Sequence, residues 1–286
     1  MSTPDPVAAV TAATGEPWRE TVAWGLLDRA VQDDLGVLFR FVAAVRSVAD
    51  HPALAADRKE AALAALAAPF SDDGTAGLSS WSAPAVALEE LLRTRGMDGR
   101  AAWRILQAAG QDLRKSRYRD WSDLLMWCRF SAAPVGALAA AMLGADGAAT
   151  KKAEAFAIAW QVKEIVARAP SHYRWLGRVY LPERWFAEAQ GEIGDLEFQR
   201  LSPSLRKVMA RALEQVSALA DEAEGFGGAF TSWRKRAAAH AALLELMAEV
   251  GALAKMSEVS KPRSPSPWRF RLLRFKALFG ALIARR

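Results

Sequence analysis

QDLRKSRYRDWSDLLMWCRFSAAPVGALAAAMLGAD, residues 111–146, is dominated after Trp121 by alanine, leucine and other good helix formers, with few β-branched residues. Its pattern predicts one helix ending near 116, a boundary at the Arg117–Tyr118 pair and a second helix over 121–143. Cys128 sits inside the apolar run and reads as a small core residue rather than a nucleophile. Ser131 lies in FSAAPVG, which lacks the glycine-flanked sharp turn of a nucleophile elbow, and no histidine is placed by sequence to activate it.

The same texture extends outward in both directions. Helices are expected over 20–50 with a break near Gln32, then 56–69, 83–95, 98–116, 149–170, 204–222 and 231–257, with loops at 71–80 and 225–228. The chain has 286 residues, 52% of them hydrophobic, so an all-α protein with a substantial core is expected. Its organisation reads as a flexible leader (1–18), one helical domain (19–258), a linker (259–267) and a terminal segment (268–286). No fixed-period repeat indicates a solenoid. The glycine-rich loops carry no GKS or GKT element and follow no strand, which argues against nucleotide binding. His51, His172 and His240 have neither the i+4 spacing nor the cysteine neighbours of a zinc site. Eleven tryptophans fall mostly at helical spacings and suit core packing with some cavity lining. One cysteine excludes an intrachain disulfide and fits a reducing compartment, so a cytoplasmic location is expected. Neither a secretory signal nor an uninterrupted spanning segment is apparent.

Charge is distributed unevenly. The net charge is +6, yet residues 261–286 alone carry +8 with no Asp or Glu, which leaves residues 1–260 at −2. The body is therefore not a basic nucleic-acid binder. After the proline-broken KPRSPSP, a helical projection of WRFRLLRFKALFGALIARR gathers Trp268, Leu272, Phe275, Phe279 and Leu282 on one side, flanked by Arg269, Arg271, Arg274 and Lys276. This segment either lies on an anionic membrane surface or packs on the body; the linker and the charge excess favour a peripheral position on the inner face of a membrane.

Three stretches together resemble the squalene/phytoene synthase family, nearest to its bacterial hopanoid-pathway hydroxysqualene synthase branch. They are the 111–146 segment, AFAIAWQVKEIVARAPSHYRWLGRVYLPERWFAE (155–188) and LFRFVAAVRSVADHP (38–52), in the family's order and spacing. The resemblance implies an isoprenoid-synthase helical bundle around a central cavity, in which two prenyl diphosphates condense with magnesium held by aspartates on two facing helices. Hard Mg²⁺ with oxygen ligands would neutralise the departing diphosphate, and aspartates four residues apart would share a helical face.

Against that pattern, the first aspartate motif is here Arg46, Ser47, Val48, Ala49 and Asp50, so only Asp50 survives as a candidate metal ligand. The second becomes Glu164, Arg168 and His172, and Pro170 is expected to end or kink the helix. Ala43 and Ala137 replace two arginines of the family pattern. Matched positions that survive are Asp112, Arg117, Tyr118, Gln161, Arg178 and Tyr180. The last five are candidate substrate-binding residues, with Arg117 and Arg178 able to grip a phosphate or to serve the frame. Arg46 or Arg168 is expected either to pair with Asp50 or Glu164 across the former metal gap or to bind diphosphate directly. The resemblance and its departures together imply a degenerate family member with no magnesium, acting at a membrane as a protein partner, an assembly factor or an isoprenoid-binding factor. The alternatives are an active prenyl (farnesyl) transferase of squalene, hopanoid or carotenoid biosynthesis with altered metal dependence, and a simple isoprenoid carrier.

Overall fold

Helix follows helix along the chain, for reasons that can be read at each end. The computed structural model describes residues 16–71, 80–198 and 200–256. Most of the leader lies outside these residues, as do the 259–267 linker and the 268–286 segment. After a 3₁₀ turn at Pro17–Glu20 come α1 (Val22–Leu26), α2 (Arg29–Ala49), α3 (Ala56–Ala67), α4 (Ala83–Thr94), α5 (Arg100–Asp112), α6 (Trp121–Ser131) and α7 (Ala133–Met142). They are followed by α8 (Gly147–Leu176), α9 (Glu183–Glu188), α10 (Pro203–Glu222) and α11 (Trp233–Leu253). Among the described residues there is no strand, and an isolated parallel bridge joins Arg117 and Val179.

Side-chain caps set several starts. Asp120 accepts the Asp123 amide at α6, Asp146 the Ala149 amide at α8, and Ser202 the Leu205 amide at α10. α8 stops at Gly177, whose positive φ lets its own amide and that of Arg178 return to the carbonyls of Tyr173 and His172.

The break expected near Gln32 falls earlier, at the extended Leu27 and Asp28. Gln32 contributes to it by folding back, its amide donating to the carbonyls of Trp24 and Leu27. The helix expected over 121–143 is divided at Ala132, because Pro134 has no amide to donate and its ring crowds the carbonyl four residues back. Trp121–Met142 is long and apolar enough to cross a bilayer by composition, yet more than half of its most apolar window (56%) is buried inside the bundle.

Contrary to expectation, α8 does not end at Pro170; it continues to Leu176 with Pro170 buried inside it. Packing outweighs the proline's cost of about 3 kcal/mol, since Val166, Ala169 and Pro170 are all buried and the first two belong to the main core. His172 therefore stays in register on the helix.

α6, α8 and α10 build the largest core with the Val179–Leu181 strip, and α2, α3, α4 and α5 build a second. α1 and α11 close a third around Trp24 and Leu35. α7 and α8 cross so closely that a Cβ at Gly136 would lie 2.3 Å from the carbonyl oxygen of Ala153, which explains the glycine in the PVG segment.

Candidate functional site

α2 places Arg46 and Asp50 one turn apart at its C-terminal end, beside Asp112 at the end of α5. The third contributor is the strip after α8. The amide of Val179 donates to the Ser116 carbonyl at 2.9 Å, and that of Glu183 to the Tyr118 carbonyl at 2.9 Å, so the Arg178–Tyr180 strip is held alongside the Arg117–Tyr118 segment. This docking carries Arg178 and Tyr180 inward.

The result is a closed network. Arg46 donates to Asp112 Oδ2 at 2.7 Å, to Asp50 Oδ2 at 2.9 Å and to the Tyr180 hydroxyl oxygen at 3.2 Å. Arg178 donates to Asp50 Oδ1 at 2.7 Å, to the Tyr180 hydroxyl oxygen at 2.9 Å and to the Asp112 carbonyl at 2.8 Å. Tyr180 in turn donates its hydroxyl hydrogen to Asp112 Oδ2 at 3.0 Å, and Tyr118 donates to Asp112 Oδ1 at 3.4 Å. Two guanidinium groups and two carboxylates balance, with the Asp112 side chain wholly inaccessible (0%).

Aromatic rings enclose the charges. Arg46 lies 5.7 Å from the Trp127 ring centre, and Tyr118 stacks on Tyr180 at 5.5 Å. His172 meets Tyr180 edge-on at 5.2 Å. Burial alone would raise the Asp50 carboxyl, but Arg46 and Arg178 beside it hold it below its ordinary value. Burial pushes the Tyr180 phenol up, and the Cys128 thiol likewise, so the cysteine is not a thiolate nucleophile. Burial, reinforced by Arg46, Arg168 and Arg178 against the pull of Asp50, brings His172 down to about 4. Its imidazole is neutral at physiological pH, and its Nδ1 is buried with no hydrogen-bond partner.

The second former motif fares differently. Arg168 is 64% exposed along its side chain and pairs with Glu164 at 3.0 Å, one turn away on its own helix. Glu164 also takes the Lys163 ammonium at 2.5 Å, and this buried lysine reaches Glu249 on α11 at 2.6 Å while sitting over the Trp160 ring. The pairing expected across the gap is therefore not formed: Arg46 does not meet Glu164, and Arg168 does not meet Asp50. Each arginine takes a carboxylate of its own helix, four residues being one turn, and Arg46 alone reaches a second helix.

Of the candidate substrate residues, Tyr118, Arg178 and Tyr180 join the network. Arg117 lies at its edge, donating to the Gly177 carbonyl at 2.6 Å, and Gln161 takes no part in these hydrogen bonds. Asp112 proves to be the hub although its survival in the 111–146 segment had suggested no role for it. Trp127 and Lys59 were not singled out at all; Lys59 donates to the Ala49 carbonyl at 3.2 Å close to Asp50, and nothing in its sequence neighbourhood signals this. Among the described residues no group of three or more His, Cys, Asp or Glu side chains converges as a metal site would require.

The all-helical bundle that carries this charged cluster matches the fold of solved squalene and dehydrosqualene synthases. The family model for squalene/phytoene synthase matches residues 21–269, and the chain belongs to that family. It is 31% identical over 191 residues to the hydroxysqualene synthase of Rhodopseudomonas palustris, covering 66% of this chain and 64% of that protein. It is 30% identical to the hydroxysqualene synthase of Sinorhizobium fredii, covering 68% and 63% respectively. The aligned stretch thus spans just under two thirds of the curated relatives' length. Among solved structures, the fold matches a squalene synthase from Alicyclobacillus acidocaldarius with a TM-score of 0.67 at 23% identity, over 86% of this chain and 91% of that one. A dehydrosqualene synthase in complex with ligand matches with a TM-score of 0.79 at 14% identity, over 97% and 95%.

Proposed function

We propose that this protein is a squalene/phytoene synthase family member that has given up magnesium-dependent ionisation of prenyl diphosphates and works at a membrane as a partner, assembly or isoprenoid-binding factor. The observation that carries this reading is the position of Arg46. Its guanidinium lies between the Asp50 and Asp112 carboxylates, in the motif that would otherwise present aspartates to magnesium.

The donor set does not suit a magnesium cluster. Mg²⁺ is usually held through carboxylates together with waters and substrate phosphates. Here Asp50 is shared between Arg46 and Arg178, Asp112 is engaged by Arg46 and two tyrosines, and Glu164 is held by Lys163 and Arg168. Freeing any of them would strand a guanidinium or ammonium beside a divalent cation, adding Coulomb repulsion to the loss of the pair. A diphosphate fares no better at Arg46 and Arg178, which already donate to protein carboxylates.

The experiment is direct incubation of the purified full-length protein with farnesyl diphosphate or presqualene diphosphate, with and without Mg²⁺, followed by extraction of products. No product is expected in either condition. Magnesium-dependent turnover would sink the reading and favour the alternative, an active head-to-head prenyl (farnesyl) transferase of squalene, hopanoid or carotenoid biosynthesis. That alternative draws its support from the likeness to the two hydroxysqualene synthases. The membrane part of the proposal rests on the basic, aromatic-bearing 268–286 segment, with an anionic inner leaflet as its target.

A further inference from the structure

We propose that the end of the bundle around the C-terminus of α8 is a docking surface for an anionic lipid membrane, separate from the 268–286 segment. Trp175, in the last turn of α8, is 71% exposed, more than the other large apolar side chains that stand open to solvent among the described residues. A lone exposed apolar residue needs no explanation, but the company of this one is specific. Arg174 beside it is exposed, and its Nε reaches only the Pro170 carbonyl, at 3.4 Å.

Two residues beyond Trp175, the Gly177 carbonyl accepts from Arg117 and so pins the 114–119 strip to this end of the helix. That strip, RKSRYR, carries Arg114, Lys115, Arg117 and Arg119, four cations in six residues. The amide of Arg184 donates to the Arg119 carbonyl, which adds a further cation to the same edge. Lys115 is paired with Asp123 at 2.5 Å and Arg117 lies 4.0 Å from Glu183, while the side chains of Arg119 and Arg184 are 81% and 70% exposed, although each touches a carboxylate, Asp120 and Glu188 respectively. Arg114 and Arg174 have no carboxylate within ion-pair distance among the described residues. An exposed tryptophan at an end of the bundle that also carries exposed arginines matches the interface of an anionic bilayer, where the indole sits at headgroup level and the guanidinium groups meet phosphate. The buried Arg46 network lies directly behind, since Arg178 and Tyr180 follow Gly177 by one and three residues.

The test is co-sedimentation of the full chain with phosphatidylcholine vesicles containing a minor fraction of phosphatidylserine. Trp175→Ser and Arg174→Glu should each weaken partitioning by about fivefold or more, the factor that roughly one basic group contributes near an anionic surface. Met247→Ser, at an exposed apolar side chain between Glu245 and Glu249 on α11, should leave it unchanged. Binding by both α8 variants as tight as that of the unmodified protein overturns the proposal, as does equal binding to pure phosphatidylcholine. A third variant neutralising Arg271, Arg274 and Lys276 separates this surface from the terminal segment. If it binds normally while the α8 variants do not, the bundle end stands and the terminal reading falls; if it alone loses binding, the reverse holds.

Discussion

At the two places where the family resemblance leads one to expect metal-binding aspartates, this chain carries an arginine, and the two arginines, Arg46 and Arg168, end in different chemistry. On α2, Arg46 is drawn inward, where Asp112 and Tyr180 come from outside its helix and make it the tie between three segments. On α8, Arg168 stays on the surface and pairs with Glu164, leaving the buried part of that motif to His172 and the adjacent Lys163. Reversing a charge in a motif therefore has no fixed consequence. What decides it is whether a buried carboxylate on another element is waiting, as Asp112 is for Arg46 and none is for Arg168.

The largest effect should come from Arg46→Met. Removing one member of a buried pair leaves its partner uncompensated, so a loss of about 3–5 kcal/mol in urea-unfolding stability is expected. A loss below about 1 kcal/mol would mean that the network is water-penetrated and that the contrast with Arg168 is one of position only.

His172 sharpens the other side. Its pKa is near 6.5 when unfolded and about 4 in the fold, so between those values the unfolded chain binds more protons than the native one. Stability should then fall as pH drops from 6.5 to 4, by at most about 3 kcal/mol from this residue. In His172→Gln the slope over that window should flatten relative to the unmodified protein. Identical pH profiles for the two would show that the imidazole is not held neutral by its surroundings. A smaller quantity is the coupling between Arg46 and Asp112: a cycle of Arg46→Met and Asp112→Asn should return an interaction energy of roughly 2 kcal/mol, and additivity would dissolve the proposed tie.

Much of this arrangement was legible in the residues, and what was not has a physical cause. The all-α fold followed from alanine-rich segments and sparse β-branching, and the importance of Arg178 and Tyr180 from the GRVYLP strip. Three boundaries were misread: Pro170 is carried within α8 because buried packing overrides its local preference, Pro134 breaks the 121–143 run by its own missing amide and ring, and the break expected near Gln32 falls at Leu27 and Asp28. Asp112 had no visible role because its partners lie 66 and 68 residues away, at Arg46 and Tyr180. Lys59 was hidden because its partner is a backbone carbonyl, that of Ala49, which no residue identity marks. Local spacing shows that Arg46 can reach Asp50, four residues on; it cannot show that a second helix delivers another carboxylate to the guanidinium.

Arg168→Ala should produce the smallest change, and for that reason it is the strictest control on the comparison. An exposed pair one turn apart on a helix contributes roughly 0.3–0.5 kcal/mol, and salt screens it further. The expected loss is accordingly within about 0.5 kcal/mol at low ionic strength and should vanish at high salt. The deficit of Arg46→Met should persist there, because a buried network is poorly screened. If raising the salt instead removed both deficits alike, Arg46 would be acting as a surface charge and not as the buried tie between α2, α5 and the strip after α8.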